Sequence, residues 1–208
     1  MAKKNTINRT TVCLYNPANC RIFAPVNFSN TMIHLRQIHT SDNAYPFVEQ
    51  LFLAAFPEDE RRDIGAQRHN TDHNPVFHCM LAEDNGQPVG FFTYWDFGRY
   101  CYGEHFATDP AQRNHGYGSR LLTAVLAHIG KPLVLEVELP DSELSTRRIA
   151  FYRRNGIQLW QNYDYTQPAY RPTGNALPML LMSSPGLSPE QDFAEVVQTI
   201  RHYVYGVG

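Results

Sequence analysis

The segment "RNHGYGSRLL", Arg113 to Leu122, constrains this chain more than any other, because Gly116 and Gly118 stand where a helix begins. Each glycine costs a helix about 1 kcal/mol relative to alanine, so two of them need a reason. The residues that follow read as helix: Leu121, Leu122, Val125, Leu126 and Ile129 make one apolar stripe, and Gly130 supplies a C-terminal stop. The residues that precede, "YCYGEHFATD", read as a strand ended by Pro110. A strand–loop–helix unit leaves the first-turn amides of the helix without intrahelical acceptors, at the positive end of its dipole. That is an anion site, and side-chain-free positions at its mouth let a diphosphate approach the backbone. Arg113 adds a cation there. The plainer alternative is a Gly-rich turn that only joins two elements. Neither GxxxxGK[ST] nor GxGxxG occurs, so the loop is of neither the Walker nor the dinucleotide type.

Around this unit the hydrophobic period switches repeatedly between two and 3.6. From Met32, "MIHLRQI" alternates Ile33, Leu35 and Gln37 with His34 and Arg36, a strand pattern. "SDNAYPFVEQLFLAAF" carries a cap-like Ser41-Asp42, then Phe47, Val48, Leu51, Phe52 and Ala55 at helical spacing, with a stop at Pro57. "PEDERRDIGAQRHNTDHNP" reads as a charged loop. "VFHCMLAED" and "PVGFFTYWDF" are strands joined through Asn-Gly, the strongest short hairpin signal. "PLVLEVEL" has the unbroken apolar start of a central strand, and "SELSTRRIAFYRRN" is a helix ended by Gly156. "IQLWQNYDY" and "ALPMLLMS" complete the sheet as an antiparallel pair. A last amphipathic helix runs from Pro189 to Tyr203, with Phe193, Val196, Val197 and Ile200 on one side. The pattern predicts a mixed α/β chain built on one sheet. Residues 1–31 show no sustained period and are expected to be a flexible extension. The domain is expected over 32–184, with 185–208 a helix that packs on it or pairs two chains as a homodimer.

Composition narrows the function classes. With 43% hydrophobic and 18% charged residues in 208, the chain can bury a core without metals or disulfides. A formal charge of −2 gives no electrostatic case for nucleic acid. No apolar run approaches the ~18 residues of a membrane span, and the first residues lack a secretory apolar core. Four cysteines without a CxxC pair suit reduced thiols, so a cytoplasmic location is expected. His69, His73, His78 and Cys79 have zinc-ligand chemistry, but Asn70, Asp72, Asn74 and Pro75 among them point to loop, and no metal site is expected.

Two segments resemble signatures of a known family. "FATDPAQRNHGYGSRLL" is similar to the acetyl-CoA signature of the GNAT superfamily of N-acyltransferases, Gln/Arg-x-x-Gly-x-Gly/Ala, filled here by Arg113, Gly116 and Gly118. "LEVELPDSELSTRRIAFYRRNGI" resembles that family's strand, helix and aromatic-Tyr-x-x-x-Gly-hydrophobic run. The resemblance to the fold covers about 32–184, and its motifs lie between 104 and 157. It implies a GNAT-like mixed, mostly antiparallel central sheet flanked by helices, with an additional C-terminal helix. It implies that the amides of Arg113, Asn114, His115, Gly116, Tyr117, Gly118 and Ser119 hold the CoA diphosphate. Phe106, Ala107 and Thr108 would then offer backbone groups to the pantetheine and the thioester. Tyr152 would protonate the departing thiolate. Asn114 stands where the family commonly has glycine, and Ser145 and Arg148 where it has Asn and Ala; Ser145 keeps a hydroxyl for the pantetheine arm.

The reaction so implied moves acetyl from acetyl-CoA, the co-substrate, to the primary amine of a small-molecule or peptide acceptor by direct attack on the thioester. An amine of pKa near ~10 is about 99.9% protonated at pH 7, so a base is required. Strand alternation puts Tyr102, Glu104, Phe106 and Thr108 on one face, which makes Glu104 the first candidate. Glu136 and Glu138 share a face of the next strand and are its rivals. Glu58, Asp59 and Glu60 could receive a cationic acceptor. The other function class is a catalytically silent acyl-CoA-binding sensor or regulatory module; Glu104 and Tyr152 together favour the enzyme.

Overall fold

The structure, a computed structural model, describes residues 32–112 and 115–207. The extension expected at 1–31, and Arg113 and Asn114 of the glycine loop, lie outside the described residues.

The chain runs through β1 (His34–Gln37), α1 (Tyr45–Ala55), α2 (Ile64–His73), β2 (Phe77–Asp84), β3 (Gln87–Asp96) and β4 (Cys101–Thr108). It continues with α3 (Tyr117–Ile129), β5 (Leu133–Glu138), α4 (Glu143–Arg154), β6 (Gln158–Leu159), β7 (Tyr165–Gln167), β8 (Leu177–Ser183) and α5 (Pro189–Tyr203). The sheet has the order β1-β2-β3-β4-β5-β8-β6, with β7 also on β8, and only the β4–β5 pair is parallel. At the β2–β3 turn Asn85 and Gly86 both take positive φ, 51° and 75°, matching the twist of the hairpin they join. Among the described residues no helix is long and apolar enough to cross a membrane.

The two sheet faces bury separate cores. On one, Val48, Leu51 and Phe52 of α1 and Val196 and Ile200 of α5 pack on Phe91, Trp95 and Tyr102. On the other, Leu121, Leu122 and Val125 of α3 and Ile149 and Tyr152 of α4 pack on Met80, Phe92, Leu133 and Leu135. The apolar stripe of α5 is thus spent on its own core, with Val196 and Ile200 fully buried.

Two expectations are corrected. Residues 64–73, read as charged loop, form α2. Asp63 caps it by accepting from the Ala66 amide at 2.9 Å, and its inward positions are Gln67 and Thr71, polar residues that leave no apolar period to detect. "IQLWQNYDY" is not one strand: Asn162, at φ 64°, turns the chain between β6 and β7, which lie end to end along β8.

The β4–β5 seam positions the site. The two strands pair only where Cys101–Gly103 meets Leu133–Leu135, although both run on beyond it. At that point β4 carries a bulge: His105 stands opposite Thr93 and Gly103 opposite Tyr94, leaving Glu104 as the extra residue. A bulge bends its strand and ends regular pairing. The strands part there, and a gap opens through the sheet.

Candidate active site

A cavity of about 560 Å³ occupies the gap, with Phe106, Thr108, Gly118, Glu136 and Tyr152 among its lining residues. Past Gly103 the β5-facing backbone edge of β4 has no strand partner, which leaves the main chain around Phe106, Ala107 and Thr108 on the cavity wall. The N-terminus of α3 opens at its rim. Gly116 is the N-cap at φ 73°, a left-handed conformation costing a residue with a Cβ about 1–2 kcal/mol. The first α-helical bond runs from the Arg120 amide to the Gly116 carbonyl at 3.2 Å, so the amides of Tyr117, Gly118 and Ser119 precede the helical ladder. Gly118 has a different reason: a Cβ there would come within 3.3 Å of the Phe151 ring and narrow the cavity. His115 is exposed, its Nδ1 3.3 Å from the Gln112 carbonyl. Ser145 is buried in the cap of α4, where its hydroxyl meets Ser142 Oγ at 2.9 Å, and it is not among the residues lining the cavity.

The bulge overturns the single-face reading of β4. Tyr102 packs in the α1/α5 core, whereas Phe106 packs against the α3/α4 core, 6.4 Å from the Tyr152 ring. Glu104 turns to the α1/α5 side. Its carboxylate, with no exposed side-chain surface, accepts from Nη1 and Nη2 of Arg62, from Trp95 Nε1 at 2.9 Å and from the Tyr170 hydroxyl at 2.9 Å. Burial opposes its ionisation most, but the adjacent Arg62 guanidinium, together with the Trp95 hydrogen bond and other neighbours, holds the carboxyl below its ordinary range. A carboxylate so stabilised, with its lone pairs taken, is a poor proton acceptor.

Glu136 lines the cavity, as Glu104 also does, but its hydrogen-bond donors differ. Tyr205 donates to its Oε2 at 2.8 Å and Tyr165 donates to its Oε1. Burial raises its pKa to about 7, against the lowering effect of the tyrosine hydroxyls. Tyr152 reaches the same cavity from the opposite sheet face, 8% exposed, its phenol pushed up to about 12 by burial. The parted strands let a carboxyl carried on one face and a phenol carried on the other share one space. Near the mouth, Arg148 pairs with Glu138, and Glu60 is raised by burial and then by the charge of Glu138. Glu58 takes Arg171 at 3.2 Å and Asp59 takes Asn175 at 3.0 Å.

Four residues of this network escape sequence reasoning: Arg62, Tyr165, Tyr170 and Tyr205. Each lies in a loop or short strand without period, and they converge from 62 to 205 only through folding. The one available signal is local: three tyrosines, Tyr163, Tyr165 and Tyr170, fall within eight residues of an otherwise polar segment. Among the described residues no group of three or more His, Cys, Asp or Glu could hold a metal ion.

Comparison with known proteins bears on the family and the fold. Residues 41–157 match the model of the acetyltransferase (GNAT) family. A solved structure described as a putative GNAT-family acetyltransferase from Bacteroides thetaiotaomicron is 43% identical, with a TM-score of 0.82 over 85% of this chain and 100% of that one. The ribosomal-protein-S18-alanine N-acetyltransferase of Escherichia coli shares the fold at 21% identity, with a TM-score of 0.53 over 76% of this chain and 96% of that one. A GNAT-family acetyltransferase from Elizabethkingia anophelis, solved with acetyl-CoA bound, shares it at 18% identity, with a TM-score of 0.51 over 73% and 97%. No curated protein matches the chain.

Proposed function

The chain belongs to the acetyltransferase (GNAT) family, and from that membership we propose that it acetylates a primary amine, on a small molecule or a peptide, with acetyl-CoA as co-substrate. The residues fit that co-substrate. Amides at the start of α3 suit a diphosphate, Gly118 leaves room beside Phe151, and the open edge of β4 offers main-chain groups to an extended arm. Bound there, acetyl-CoA supplies the acetyl group as a thioester.

The observation that carries the proposal is the meeting of Glu136 and Tyr152 in one cavity. Glu136, near pH 7 about half ionised, removes the proton of the acceptor ammonium. Tyr152 holds its phenolic proton throughout the neutral range and delivers it to the departing sulfur. In this reading Glu136 takes the role first assigned to Glu104, which anchors Arg62 instead. A silent binding module has no use for a carboxyl poised near neutrality beside a protonated phenol. The reduced, buried thiols of Cys79 and Cys101 suit a cytoplasmic enzyme.

The test is calorimetric titration of acetyl-CoA into the wild type and Gly118→Trp, followed by an amine screen that reads release of the CoA thiol. Micromolar binding, abolished by the indole at 118 with the melting temperature retained, is expected. A wild type that binds no acetyl-CoA overturns the proposal.

A further inference from the structure

Tyr205 follows α5 by two residues, yet it does not fray. The Val204 amide donates to the Ile200 carbonyl and the Val207 amide to the Arg201 carbonyl, each at 2.9 Å, and Val204 is buried in the core. This turn carries the Tyr205 ring to 4.8 Å from that of Tyr170 and its hydroxyl onto Glu136. The titratable groups that act on Glu136 come from several elements. They are Tyr102 and Glu104 from β4, Tyr165 from β7, Tyr170 from the loop before β8, and Tyr205; Arg62 neutralises Glu104. Among these groups Glu104 is the one further carboxylate and Arg62 its counter-charge, the rest being phenols, while Arg147 and Arg148 of α4 line the same cavity.

A carboxyl on a strand edge beside a cavity is free to turn about its side-chain torsions. Here its two oxygens are held by donors from two separate elements, Tyr165 on Oε1 and Tyr205 on Oε2, which removes that freedom. Tyr205 is itself held by its ring contact with Tyr170 and by the Tyr102 hydroxyl at 3.4 Å. We propose that the C-terminal turn is part of the active site, with Tyr205 a positioning residue that aims the Glu136 carboxyl at the acceptor amine. The inference rests on the reading of Glu136 as base. It makes the last residues of the chain a functional element in a protein whose recognised motifs end some fifty residues earlier, at Ile157.

The test uses the full-length protein with carboxyl-¹³C glutamate, following the titration of Glu136 by NMR and assigning its signal by its loss in Glu136→Gln. Tyr205→Phe keeps the ring and removes a hydrogen bond to the ionised form, so the midpoint rises by about one unit. With an amine acceptor in hand, the acid limb of kcat/KM moves by the same amount. 3,5-Difluorotyrosine at 205, a stronger donor with the hydroxyl retained, lowers the midpoint, and it decides the matter if the Phe variant folds poorly. An unmoved midpoint in both proteins overturns the positioning role, whatever Glu136 does. Conversely, if the midpoint moves but Glu136→Gln keeps wild-type turnover, the base assignment falls, and with it any aiming at the acceptor.

Discussion

Replacing Arg62 by Met is the sharpest test of why Glu104 is where it is. Arg62 is 6% exposed in its side chain and Glu104 not at all. The guanidinium also donates to Gln67 Oε1 at 2.9 Å and sits 5.5 Å over the Trp95 and Tyr170 rings. Methionine keeps the stem and leaves a buried carboxylate with only the Trp95 and Tyr170 donors. Removing one partner of a buried ion pair costs about 3–5 kcal/mol. At roughly 2–4 °C per kcal/mol for a chain of this length, melting should fall by about 6–20 °C. The loss has a pH signature. In the native protein Glu104 lies below its ordinary 4.5, so the ion pair contributes above pH 4.5 and is lost only as pH falls through the native value. Without the guanidinium, burial is opposed by hydrogen bonds from Trp95 and Tyr170 but by no adjacent full charge, and the folded carboxyl should rise above 4.5. Stability is then lost as pH rises towards that new value, by about 1.4 kcal/mol per unit. Thermal unfolding at pH 5 and pH 8 should show a deficit relative to wild type that is larger at pH 8, and Arg62→Met/Glu104→Gln should recover part of it. A deficit under about 2 °C at both pH values, or one that shrinks as pH rises, would refute the argument.

Two further outcomes concern the proposed base and acid. Glu136→Gln should lower kcat/KM by about 10²–10⁴-fold in the thiol-release assay. Because its folded pKa of about 7 lies above the ordinary 4.5, wild-type stability is fully present below pH 4.5 and declines as pH rises through 7; the Gln variant should lack that decline and melt no lower than wild type at pH 8. Tyr152→Phe should reduce kcat towards the low end of the same ~10²–10⁴ range, since a thiolate leaves readily, while calorimetry shows acetyl-CoA affinity retained. Equal losses of affinity and turnover would make Tyr152 a packing residue.

The sequence by itself determined the parts of this protein that repeat a local pattern. The strand–loop–helix unit at 101–129, the Asn-Gly hairpin and the apolar stripes of α1, α3 and α5 are all legible from period and punctuation, because each is specified by residues a few positions apart. Resemblance of two motifs within 104–157 named the family, and it marked Tyr152 and the glycine loop. What the chain could not display was anything set by pairing across distance. The α2 helix faces inward with Gln67 and Thr71, so its burial leaves no hydrophobic mark. One bulged residue, visible only in the pairing of β3 with β4, sends Glu104 to one sheet face and Phe106 to the other. Tertiary structure alone gives two glutamates of identical chemistry different surroundings. Arg62 brings a full positive charge to Glu104 and keeps it ionised, whereas Glu136 meets burial and neutral phenols and is held near neutrality. A carboxyl's proton affinity is a property of the dielectric and charges around it, and those arrive from residues 62, 165, 170 and 205 only when the chain is folded.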